Sequence, residues 1–150
     1  MNIPGYSPPL FSAADKLRIR TAIEKAESKT SGEIRIHVES HPAEDVLLQA
    51  REWFARLELH NTKDRNGILL YLNLHARKVA VWGDEGIHAR VQQAYWDDVI
   101  RQMIPLLKQS ATVEALCLAV REIGDTLAIY FPHTGASDEN ELSDDISLSE

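Results

Sequence analysis

The chain has 150 residues, 44% hydrophobic and 26% charged, a balance that suits one globular domain with a sizeable core. No apolar run reaches the roughly 18 to 20 residues of a membrane helix, and MNIPGYSPPLF at the start has neither a basic nor a long apolar segment, so a cytoplasmic chain without a membrane segment is expected. The formal charge is −7, but six acids and no Lys or Arg lie within residues 133–150; about −1 remains elsewhere, which excludes a general attraction to nucleic acid.

Residues 1–11 read as an N-terminal extension and 12–132 as the domain. Ser12, with Asp15 three positions on, is an N-cap signal, and Leu17, Ile19, Ala22, Ile23 and Ala26 keep helical spacing, so a helix is predicted over about 13–29. EIRIHVES then alternates, Ile34, Ile36 and Val38 against Arg35, His37 and Glu39, which is the period of a strand. A second helix starts after His41-Pro42, carries Leu47, Ala50, Phe54 and Leu57 on one stripe, and ends near Leu59. NTKDRNG is a loop by composition. GILLYLNL, a short apolar run beginning at Gly67, reads as a strand covered on both faces, and KVAVWG returns after the His75-Ala76-Arg77 turn as its hairpin partner.

Two further helices are predicted, from His88 to about Lys108 and from Thr112 to about Tyr130. Pro105 should kink or divide the first, and Phe131-Pro132 ends the second. Trp53, Trp82 and Trp96 sit in apolar patterns and are expected in the core. Cys117, the one cysteine, lies in an apolar helical pattern as a buried structural thiol and rules out a disulfide framework. HTGASDENELSDDISLSE is poor in apolar residues and rich in Ser and acid, which predicts a disordered acidic tail that serves solvation or docks a protein partner.

Strand, helix, strand implies a right-handed parallel crossover, so the first two strands run the same way and the third is antiparallel. One sheet edge then gathers Glu33, the Asp64-Arg65-Asn66 loop and the Gly83-Asp84-Glu85-Gly86 loop. The opposite edge gathers Glu39, Asp45 and the 75–77 turn.

TSGEIRIHVE at 30–39, TKDRNGILLYL at 62–72, RKVAVWGDEGIH at 77–88, Trp96, and the closing Ile-Gly, Leu and Phe-Pro of 123–132 together resemble the short form of the TPM domain. That family is named partly for a thylakoid lumen acid phosphatase and photosystem II repair proteins. The resemblance implies a three-layer α/β/α sandwich with a small mixed sheet, and an association with acid phosphatase activity and with divalent metal binding, Ca²⁺ or Mg²⁺, through acidic loop residues. It also implies a weaker cation site on the second rim. Ala76 stands where many members carry an acid before the Arg, and Pro8, Pro9 and Leu10 stand where longer relatives tend to have an Asp.

Two readings stay open for each candidate residue. Glu33, Asp64 and Asp84 either hold a cation on the first rim, with Glu39 and Asp45 as the alternative on the second, or serve the fold, Asp84 as a helix cap and Glu33 as the partner of Arg65. Arg65, Asn66, Arg77, Gly83 and Gly86 are candidate contacts for phosphate or another ligand, although Gly83 and Gly86 also suit turns that need positive φ. His37, His75 and His88 lack metal-ligand spacing and are expected to be packed or exposed. Cys117 has Arg121 four residues on within a helix, not the six-residue spacing of a thiolate phosphatase, and no D-x-D, Walker loop, G-x-S-x-G or H-E-x-x-H occurs. Two functions remain: a module that binds a divalent metal or a protein without strong catalysis, or a weak metal-dependent acid phosphatase for phosphomonoesters.

Overall fold

A computed structural model describes residues 11–133 and 146–149. Its elements are α1 (Ala13–Glu27), β1 (Glu33–Glu39), α2 (Val46–Arg56), β2 (Gly67–Asn73), β3 (Lys78–Gly83), α3 (Glu85–Lys108), α4 (Thr112–Tyr130) and β4 (Ser147–Ser149). The sheet order is β3-β2-β1-β4, with β1 parallel to β2 and to β4, and β2 antiparallel to β3. The crossover and the hairpin are those the alternation of patterns predicts.

Side-chain period decides which face each residue serves. Ile34, Ile36 and Val38 of β1 join Ile68, Leu70 and Leu72 of β2 in a large core under α1, α3 and α4, where Ile19, Ile23, Trp96, Met103, Leu116, Val120 and Ile123 are buried. Leu69, Tyr71 and Ala80 face the other way and pack with Ala50 and Phe54 of α2. Helices therefore cover both faces, which makes the three-layer sandwich and explains why β2 is buried at every position. Trp96 is buried; Trp53 and Trp82 are half-buried against the smaller core, and Cys117 is half-buried against the larger.

Helix ends follow local chemistry. Ser12 and Asp15 form a reciprocal capping box at α1, Oγ accepting from Asp15 N at 3.0 Å and the Asp15 carboxylate from Ser12 N at 3.2 Å. The break in α3 is not at Pro105. It falls at Gln92, whose φ of 64° and ψ of 174° interrupt the helix. Pro105 lies in the last turn on an exposed face, where water can satisfy the Arg101 carbonyl that loses its partner.

The predicted disordered tail needs correction at its end. Residues 147–149 form β4 beside β1, pairing His37 with Ser147, Val38 with Leu148 and Glu39 with Ser149. Ile146 and Leu148 pack against the large core. Averaging composition over eighteen residues hides this short alternation of apolar and Ser residues. The acids from Asp138 to Asp145 lie outside the described residues.

Candidate functional site

The first rim is assembled by main-chain bonds between the loops that the strand order brings together. Glu33 N–H donates to Asn66 O at 3.4 Å, Asp84 N–H to Gly67 O at 2.9 Å and Gly86 N–H to Arg65 O at 2.9 Å. Asp84 is buried, and both its oxygens are occupied: Oδ2 accepts from Arg65 Nε at 2.7 Å, and Oδ1 from Arg65 Nη2 at 3.0 Å and from Glu85 N at 2.8 Å. One carboxylate thus caps α3 and holds a two-pronged guanidinium pair. Arg65 also reaches Glu85 at 3.2 Å, and it occupies the left-handed region at φ 52°. The Asp84 hydrogen bonds push its guanidinium pKa above the ordinary arginine value.

The ion pairs of Arg65 run to Asp84 at 2.7 Å and to Glu85 at 3.2 Å. Glu33 is buried and engaged within the protein, while Asp64 is exposed. Asn66 is buried; its Nδ2 donates to Ser31 Oγ at 3.2 Å and its main-chain N–H to Thr62 Oγ1 at 3.1 Å. Gly83 and Gly86 are required for space rather than for positive φ. A Cβ on Gly86 would run into the Asp64 and Arg65 carbonyls, and one on Gly83 into the Trp96 ring. Among the described residues, no group of three or more His, Cys, Asp or Glu side chains is arranged to hold a metal ion. A cation at Asp84 would compete with the Arg65 guanidinium for the same carboxylate.

A cavity of about 540 Å³ lies beside this pair, lined by Arg51, His60, Arg65, Trp82, Asp84, Glu85 and His88 among others. His88 Nδ1 lies 3.0 Å from Trp96 Nε1. Indole N–H can only donate, so Nδ1 is the acceptor and the neutral imidazole carries its proton on Nε2. Two arginines and a histidine donor suit contact with an anion.

The second rim holds its candidates apart. Asp45 caps α2, its Oδ1 accepting from Leu48 N at 3.1 Å. Glu39 is buried on the α2 face, accepting from Trp53 Nε1 at 3.1 Å and from the Tyr71 hydroxyl. Asn73 Nδ2 donates to that hydroxyl at 3.1 Å and to His41 O at 2.9 Å, while its Oδ1 accepts from Ala76 N at 2.8 Å. Burial first, then the bond to Glu39, pushes the Tyr71 pKa up to about 12. Arg77 is exposed in the β2–β3 turn at φ 54°.

This polar layer was not legible as a cluster. His37 sits at its centre, fully buried, with Trp53 stacked on it at 3.8 Å and Nδ1 2.8 Å from Ser147 Oγ. Its Nε2 is buried without a hydrogen bond among the described residues. Burial above all lowers its pKa to about 4, and Arg35 and Arg56 lower it further while Glu39 opposes them. Alternation in EIRIHVES signals a polar face; that α2 covers this face and β4 closes the edge of β1 are tertiary facts.

Comparison with known proteins gives a consistent result. A model of the TPM domain matches residues 8–126. The NMR structure of the BA42 protein from the psychrophilic bacterium Bizionia argentinensis superposes with a TM-score of 0.87 at 33% identity, covering 96% of this chain and 99% of that one. The N-terminal domain of a P. gingivalis protein gives 0.69 at 19% identity, covering 83% of this chain and 82% of that one. That of the cg2496 protein from Corynebacterium glutamicum gives 0.62 at 14% identity, covering 87% and 81%. The last two show likeness of fold alone. Among curated proteins, none matches.

Proposed function

The chain belongs to the TPM domain family, and from that premise we propose that it is a binding module, for a protein partner or a divalent cation, without strong catalysis of its own. The observation that carries this reading is the state of Asp84, the buried acid of the first rim. Both its oxygens already serve Arg65 and the α3 N-terminus. A metal-assisted phosphatase needs carboxylates directed at a cation that polarises the phosphoryl oxygen and activates water. At this rim the nearest positive charge is the protein's own guanidinium.

The second reading, a weak metal-dependent acid phosphatase for phosphomonoesters, draws on the cavity beside Asp84, where Arg51, Arg65 and His88 supply donors for an anion. For that chemistry Arg65 would leave Asp84 and turn to phosphate; its side chain is 43% exposed. The two readings separate in an NMR titration of EDTA-treated, ¹⁵N-labelled protein with Ca²⁺, Mg²⁺ and Mn²⁺, followed by a phosphomonoester. The module reading expects cation-induced shifts at Gly32, Asn66 and Gly83 to Gly86, or at Glu39, Asp45 and His75, or no shifts in the domain, with the ester unchanged in every case. Steady hydrolysis of the ester in the tube would overturn it.

A further inference from the structure

A second cavity, of about 700 Å³, opens at the other rim between the β2–β3 hairpin end, the second half of α3 and the start of α4. Small-molecule sites typically measure roughly 300 to 1,000 Å³. Its wall is apolar, formed by Leu72, Leu74, Val79, Ile100 and Leu107, and Ile104 stands 39% exposed beside them. Its charges have one sign. Arg77, Lys78 and Lys108 line it and no acid does, and none of the three makes an ion pair among the described residues. Asp45, which precedes the lining residue Val46, is committed to the α2 cap through Leu48 N. No side chain caps α4, whose first residue, Thr112, also lines the cavity; the acid of that first turn, Glu114, is paired with Arg18 at 3.3 Å, which leaves the positive end of the helix dipole beside the same space.

We propose that this cavity binds an amphipathic anion of the fatty carboxylate class, its alkyl chain on the apolar wall and its headgroup among Arg77, Lys78 and Lys108. Each feature rejects a different alternative. Three cations without an acid repel a divalent cation. A wholly apolar ligand would leave those charges facing hydrocarbon. The site goes beyond the binding reading above, since neither acidic rim contributes a carboxylate to it.

The test is calorimetric titration of the full chain with octanoate, decanoate and dodecanoate below micelle formation, with decanol as the neutral control and amide shifts as the map. Affinity should rise about fourfold for each methylene buried until the cavity is full. Decanol should bind at least about tenfold more weakly for want of the charge pairing. Shifts should centre on Leu72 to Leu74, Val79 and Ile100 to Ser110. Lys78→Glu with Lys108→Glu, both exposed positions that leave the core intact, should weaken decanoate at least about tenfold. Absence of saturable binding, equal binding of decanol, shifts centred on the first rim, or an unaffected double variant would each overturn the proposal. So would shifts at this face on raising protein concentration alone, which would assign it to a second copy of the chain.

Discussion

Asp84 illustrates how one side chain can answer three demands. It neutralises Arg65, satisfies a free amide at the start of α3, and fixes the 83–86 loop against the 64–66 loop. Asp84→Ala should therefore lose about 1 kcal/mol from the cap alone, and more from the severed ion pair; Asp84→Asn, which keeps a capping oxygen, should lose less. Urea unfolding of the two variants checks this, and equal stabilities would show that the cap contributes nothing. His37 makes a prediction of opposite sign with acid. Its folded pKa of about 4 lies below the ordinary 6.5, so between those values the unfolded chain takes up a proton that the folded chain refuses. Stability should fall as pH is lowered through that window, and His37→Gln should flatten the dependence. Denaturation midpoints at pH 7, 6 and 5 give the comparison, and parallel slopes for both proteins would contradict it.

At the scale of elements, β4 has the most specific consequence. Glu33 N–H points toward the β2 side, and Ile34 N–H points outward, donating to Glu27 Oε2 at 2.7 Å. Alternation then turns the Val38 amide outward along the edge that β4 covers. Ending the chain after Asp145 should speed hydrogen exchange at the Val38 amide and raise the His37 pKa toward 6.5, because the burial that lowers it is reduced. Unchanged exchange would mean that β4 does not protect the edge. The helices, three strands and their pairing were legible because each has a local signal: capping at Ser12, period two in β1, an unbroken apolar run in β2. The Gln92 break carries no such signal, since a positive φ is uncommon for Gln and nothing in the local pattern marks this position. Nor was the pairing of Arg65 with Asp84 legible, as several acids lie on the rim and the sequence does not rank them.

For the whole molecule, sheet topology brings Asp84 and Arg65 together at the first rim and carries Glu39, Asp45 and the Arg77 turn to the second. The loops meet as the strand order requires, yet their carboxylates are divided among caps, an arginine and a buried tyrosine. A TPM domain built this way keeps the family fold, and the reading proposed above is that its rims serve binding rather than turnover. The most direct test is hydrolysis of a phosphomonoester by EDTA-treated protein, before and after adding Ca²⁺, Mg²⁺ or Mn²⁺, with Asp84→Asn and Asp45→Asn in parallel. The account predicts no turnover that follows the purified protein under any of these conditions. Turnover restored by one cation and lost in either variant would contradict it.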